Sequence, residues 1–171
     1  MSEQLQVAIV GGGIGGLTPA LALRARGLKV AIFEQAVELG ETGAGISIHA
    51  NAVLLLQRIG LTDSIKKIGV PIAGLLLRTS AGESIDISAQ LSLGIQAYNV
   101  HRAEFRKLLA DAQPEGALHL GHRLSRATET DGRVQLTFAN GATVETDLVI
   151  GADGIHSVLQ RAIGLKTHPS S

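Results

Sequence analysis

Cysteine is absent from this chain of 171 residues. That excludes disulfides, thiolate metal sites and a cysteine nucleophile, and it suits a reducing cytoplasm. Tryptophan is also absent, and the chain has one tyrosine and three phenylalanines. Its 15 basic residues are balanced by 15 acidic ones without a basic block. Few aromatics and no net charge argue against a nucleic-acid surface. No apolar run reaches the length that spans a bilayer, and Glu3 leads straight into an apolar segment, so neither membrane anchor nor signal peptide is expected. What the chain does have is apolar side chains, at 45%. A sizeable core is within reach, and the length fits one domain or part of a larger one.

The most informative segment is Val7-Ala8-Ile9-Val10-Gly11-Gly12-Gly13-Ile14-Gly15-Gly16-Leu17, followed by Val30-Ala31-Ile32-Phe33-Glu34. It reads as a buried strand, a glycine turn, a helix, a second strand and an acid at that strand's end. This order defines a dinucleotide-binding βαβ unit. Gly11 permits the tight turn, Gly13 lets backbone approach a pyrophosphate, and Gly16 lets the helix pack close to the strands. The helix N-terminus offers free N–H groups and partial positive charge to the phosphates. Glu34 accepts hydrogen bonds from a ribose 2′-OH and repels a 2′-phosphate, which favours FAD or NAD over NADP at this first site.

Periodicity and turn residues predict the remaining elements. The first strand covers 5–10, the first helix 14–26 with Gly27 as its stop, and the second strand 28–33. Pro19 falls past the first turn of that helix, where it could kink the helix or shift its start. A loop at 38–45 precedes a short strand at 46–48, and Asn51 is the expected N-cap of a helix ending at Ile59. A helical piece follows at 62–68, with a boundary at Pro71. Segments 75–79 and 84–87 form a hairpin, 91–94 a loop, and 97–100 an extended stretch. A helix at 102–112 ends before Pro114, and 117–120 is a strand. Segments 124–128, 134–138 and 143–145, joined by Asp131-Gly132 and Asn140-Gly141, form a three-stranded antiparallel meander. A buried strand at 147–150 leads through Gly151-Ala152-Asp153-Gly154 to a helix at 155–163.

The glycine motif, Glu34-Gln35, Gly43-Ala44-Gly45-Ile46, Asn51-Ala52, Arg102 and Asp153-Gly154 occur in the order seen in the group A flavoprotein monooxygenases, which the chain resembles over nearly its whole length. These are aromatic hydroxylases similar to the salicylate, 3-hydroxybenzoate and 4-hydroxybenzoate enzymes. The resemblance implies an α/β, Rossmann-like FAD-binding fold with a parallel sheet, the antiparallel meander and a partial second β-sheet region. It divides the chain into a βαβ module (1–70), a substrate-side β region (71–100), the remainder of the FAD-binding domain (101–163) and a tail (164–171). It implies FAD as cofactor, NADH or NADPH as electron donor, and a small aromatic substrate hydroxylated with O₂ in the cytoplasm.

The cofactor-binding residues that follow are Gly11, Gly13, Ile14, Gly15, Gly16, Glu34, Gln35, Gly45, Arg102, Leu124 and Asp153. The resemblance sets Arg102 against the FAD phosphates or flavin edge. Independently, a cation in a helix's first turn is disfavoured by the macrodipole, and an anionic partner offsets that; a solvated arginine is the plainer alternative. Leu124 matches a position whose backbone meets the adenine. Asp153 ends a buried strand, where ligands collect in α/β sheets, or it simply caps the next helix. The arginine usual three residues after Ser157 is replaced by Gln160. The six histidines show no metal-ligand spacing, so no metal site is expected. His119 and His122 read as surface groups. Ser47 and His49 share one strand face, near the flavin by resemblance, although a packed or solvated His49 is the plainer reading. No catalytic residue is identified.

The resemblance also implies a C-terminal half with a second FAD motif, which this sequence does not contain. The chain is therefore expected to behave as the N-terminal half of such an enzyme, inactive alone. Apolar faces left uncovered would favour a homo-oligomer or aggregation. Two other readings are a flavin-dependent reductase or oxidase of the same superfamily and a non-catalytic nucleotide-binding remnant.

Overall fold

Strand β1 (Val7–Val10) and strand β2 (Val30–Phe33) are apolar at every position, and every one of their residues is buried. Such uninterrupted apolar strands belong to a parallel sheet covered on both faces. They pair in parallel, Val7 opposite Val30 through Val10 opposite Phe33. The computed structural model describes residues 5–40, 44–88 and 94–163. Gly43, most of the expected loop at 91–94 and the tail from 164 onward lie outside the described residues.

The chain divides into two units, one built from residues up to Gly40 together with those from Leu109 onward, the other from residues between them. In the first unit, β8 (Leu118–His119) and β12 (Leu148–Gly151) complete a four-stranded parallel sheet in the order β12-β1-β2-β8. Helix α1 (Ile14–Arg24) connects β1 to β2. Ala8, Val10, Ala31 and Phe33 pack with Leu124, Leu136 and Phe138 of the meander β9 (Leu124–Thr130), β10 (Arg133–Phe138) and β11 (Thr143–Thr146). The expected α/β fold with its antiparallel meander is thus present.

The second unit contains β3 (Gly45–Ile48), α2 (Ala50–Arg58), α3 (Thr62–Ile68), β4 (Val70–Pro71), β5 (Leu76–Arg78), β6 (Ser84–Asp86) and β7 (Tyr98–His101). Strands β3, β7 and β4 form one antiparallel sheet, and β5 and β6 form the expected hairpin. Helix α4 (Arg102–Asp111) starts directly after β7.

Several expected boundaries move for identifiable reasons. His49, not Asn51, is the N-cap of α2; its backbone is extended and its carbonyl accepts from Ala52 and Val53, while its side chain makes no cap bond. Pro71 is a boundary as expected, as the last residue of the short strand β4, where it lies opposite Tyr98. The last helix, α5 (Val158–Ala162), starts later than Ile155 because Ser157 is its N-cap. Asp131 (φ 53°) and Gly132 (φ 75°) both occupy the left-handed region that a two-residue hairpin turn needs. At Asn140-Gly141 only Gly141 does so, and the Asn140 side chain instead accepts from the Ala142 amide at 3.0 Å. Pro19 lies inside α1 without shifting its start from Ile14. Among the described residues no helix is long and apolar enough to cross a membrane.

Candidate functional site

The turn between β1 and α1 is built from glycines that serve two different purposes. Gly11 has φ +113°, and a Cβ there would lie 2.1 Å from the Ala152 carbonyl oxygen. A Cβ on Gly16 would lie 1.9 Å from the Gly11 carbonyl oxygen and 3.3 Å from Ile9 Cγ2. Gly12 would strike the Glu34 side chain at 2.9 Å. These three glycines are required by protein packing. Gly13 and Gly15 are not, since a Cβ on either meets no atom within 4 Å. Their bareness faces open space at the start of α1. The amides of Gly13, Ile14 and Gly15 have no acceptor among the described residues, as expected of a helix's first turn. Free N–H groups, positive dipole and clear access make this an anion cradle, which fits the pyrophosphate of a dinucleotide.

Glu34 directly follows β2 and is 8% exposed. Its Oε2 accepts from the Gly12 amide at 2.5 Å and its Oε1 from the Ala36 amide at 2.9 Å. A carboxylate offers about four lone-pair sites, and a ribose hydroxyl is the kind of donor they accept. The acid therefore holds the glycine turn as well as facing the site, a role its spacing in the sequence does not reveal. Glu34→Ala is expected to lower unfolding free energy by about 1.5–3 kcal/mol, the value of hydrogen bonds to a charged group. Denaturant titration measures this loss.

Around Glu34 the backbone is tightly tied: its amide donates to the His119 carbonyl at 2.9 Å, and its carbonyl accepts from the His122 amide at 2.8 Å. His119 and His122 are not simple surface groups. The His119 ring stacks on Phe33 with centroids 4.9 Å apart, and His122 meets Phe138 edge-on at 5.2 Å. Burial, and then the neighbouring His122, hold the His119 pKa below its ordinary value. On acidification through about pH 6.5 the unfolded chain takes up this proton while the folded chain resists. Thermal stability is thus expected to fall as pH drops from 7.5 towards 5.5. Melting curves of His119→Phe should show a shallower dependence.

The expected cofactor-binding residues gather in two places. Gly11, Gly13, Ile14, Gly15, Gly16, Glu34 and the exposed Gln35 surround the turn. Asp153 joins them, because its amide lies 3.0 Å from where a Gly11 Cβ would be. Its carboxylate accepts from Ser157 Oγ at 2.6 Å and the Val158 amide at 2.7 Å, so it fixes the turn and the start of α5. Leu124 is buried with its side chain in the core. Gly45 and Arg102 lie together in the other unit: Gly45 pairs with His101, and the Arg102 amide donates to the Ala44 carbonyl at 3.2 Å. Arg102 is exposed. Among the described residues there is no cluster of three or more potential metal ligands.

That second unit also holds a cavity of about 450 Å³ that sequence reasoning missed, lined in part by Ser47, His49, Gln96 and Asn99. The antiparallel register sets Ser47 opposite Asn99. Only the shared face of Ser47 and His49 hinted at it.

A parallel sheet, a glycine turn with free amides and a buried acid at the end of β2 define a dinucleotide-binding α/β domain. Residues 4–171 match the FAD binding domain family, and the chain belongs to it. It is 36% identical to a 3-amino-4-hydroxybenzoate 2-monooxygenase of Streptomyces cremeus, over 95% of this chain and 43% of the relative. It is 35% identical to a salicylate hydroxylase of Pseudomonas putida, over 91% of this chain and 37% of that one. The crystal structure of Klebsiella pneumoniae HpxO complexed with FAD and uric acid superposes with a TM-score of 0.78 at 30% identity, covering 91% of this chain and 41% of that one. The chain thus spans about two fifths of the length of the relatives it matches, and FAD is the family's cofactor.

Proposed function

We propose that this chain is the FAD-gripping part of an NAD(P)H-dependent flavoprotein monooxygenase that hydroxylates a small aromatic substrate with O₂. The observation that carries this reading is the pair of glycines, Gly13 and Gly15, left bare against open space beside a buried acid. Amides of Gly13, Ile14 and Gly15 hold the pyrophosphate across the turn set by Gly11 and Gly16. Glu34 holds the adenosine ribose with Gln35 beside it, and Leu124 meets the adenine through its backbone. Asp153 acts by fixing the turn on which Gly11 rests. Arg102 and Gly45 serve the phosphate or flavin end, and residues 71–100 belong to the substrate side. When bound, FAD supplies the electron transfer and O₂ chemistry, and the protein supplies position and shelter from water. The setting is cytoplasmic. Apolar side chains exposed on this chain, such as Leu76, Leu77 and Ile85, favour self-association.

The test is turnover by the chain itself with FAD, NADH or NADPH, O₂ and a panel of hydroxybenzoates. Flavin should bind, since the cradle is intact. Reduced nucleotide should be consumed only to hydrogen peroxide, because about three fifths of the relatives' length, and with it much of the enclosure, has no counterpart here. Absence of any FAD binding overturns the cofactor reading. Stoichiometric ring hydroxylation overturns the view that this portion is insufficient alone.

A further inference from the structure

The cavity in the second unit has a lining whose hydrogen-bonding capacity can be followed group by group. Ser47 Oγ donates to Asn99 Oδ1 at 2.6 Å, which leaves the Asn99 NH₂ as a donor and the Ser47 lone pairs as acceptors. Gln96 Nε2 uses its hydrogens on the carbonyls of Ile72, at 3.0 Å, and Ala97, at 2.8 Å, so its own carbonyl oxygen remains an acceptor. Ser88 is satisfied, accepting from the Leu75 amide at 2.8 Å and donating to Asp86 at 2.5 Å. His49 makes no cap bond, and a neutral imidazole brings one donor and one acceptor. The rest of the lining is apolar or glycine, including Ile72, Leu75 and Ile95.

No lysine or arginine lines this cavity among the described residues. Between Lys67 and Arg102 the sequence has one such residue, Arg78, which lies in β5. The formal charge bonded to the wall is the negative Asp86, through Ser88. A carboxylate needs donors and positive charge; here it would face the Ser47 and Gln96 acceptors with Asp86 behind them. A phenol, hydroxypyridine or ring amide both gives and accepts, as the lining does. A cavity of about 450 Å³ suits such a molecule.

We propose that this cavity binds an uncharged hydroxy- or oxo-substituted aromatic ring and discriminates against aromatic carboxylates, with Asn99, oriented by Ser47, as the specificity-determining donor. The proposal rests on the aromatic-substrate reading above and narrows it. The test uses 4-hydroxybenzamide and 4-hydroxybenzoate at neutral pH, probes alike in shape that differ in charge. Each is titrated into the ¹⁵N-labelled chain and followed by NMR, with FAD affinity measured separately.

The benzamide should bind at least tenfold more tightly than the benzoate, with shift changes centred on Ser47, His49 and Asn99. Asn99→Asp, nearly unchanged in size, should lose at least tenfold of benzamide affinity, and Ser47→Ala should lose less. Both variants should keep the parent's melting temperature and FAD affinity. Equal or tighter binding of the benzoate, no binding of either probe, or shifts centred elsewhere overturns the proposal. Loss of FAD binding alongside intact benzamide selectivity instead rejects the flavoprotein reading and leaves the cavity's selectivity standing.

Discussion

Gly16→Ala is expected to leave the first unit without a stable fold. The added methyl would lie 1.9 Å from the Gly11 carbonyl oxygen, well inside contact distance, and the obstructing atom is backbone. Relief requires α1 to move off β1. That would open the contact with Ile9 and disturb Gly11, which itself rests on Ala152 at the end of β12. Overpacking in a core typically costs about 1–3 kcal/mol when side chains can shift. Here none can, so the loss should sit at or above the top of that range, against a total of about 5–15 kcal/mol for a typical domain. A circular-dichroism melt should show a large fall in the transition temperature or its disappearance. A melt like the parent's would mean that α1 is held less tightly against β1 than its geometry requires.

Gly13→Val is expected to do the opposite: keep the fold and lose the cofactor. Gly13 is the N-cap of α1, with φ −82° and ψ −179°, extended backbone that valine adopts readily. A Cβ there meets no protein atom within 4 Å. Valine is a poorer N-cap, at a cost of around 1 kcal/mol or less relative to glycine. The branched side chain would, however, fill the space through which a pyrophosphate reaches the free amides. FAD affinity should fall by at least tenfold, or about 1.4 kcal/mol, in a flavin fluorescence titration. Parent-like affinity would remove this turn from the binding site. Taken together, the two variants separate glycines that the protein needs from glycines that only a ligand explains.

This separation also marks how far the sequence could be read. Strand, turn, helix, strand and acid form a local pattern, and local patterns survive folding: β1, α1 and β2 lie within the expected spans, each two residues shorter. The roles of Gly11 and Gly16 followed from the motif. The role of Gly12 did not, because its constraint comes from Glu34, 22 residues away. Helix starts were misplaced at Asn51 and Ile155, where more than one residue could cap and only the backbone path chose His49 and Ser157. The two histidines were misjudged because Phe33 and Phe138, which pack against their half-buried rings, lie on strands remote in sequence. The cavity near Asn99 was hinted at only by the shared face of Ser47 and His49, since strand register is a long-range property.

The hydrogen bond between Glu34 and the Gly12 amide has a consequence for attempts to change nucleotide preference. Admitting a 2′-phosphate calls for removal of the acid's charge, and the simplest change is a shorter, neutral side chain at position 34. That change also strips the Gly12 and Ala36 amides of their acceptor, so a single exchange would loosen the turn while it widens the pocket. It would not open position 12 to a side chain, because the nearest obstructing atom is Glu34 Cβ, at 2.9 Å, which every residue but glycine keeps. A change of preference should therefore keep glycine at 12 and place at 34 a neutral residue that still offers the turn an acceptor: Glu34→Gln should cost less stability than Glu34→Ala.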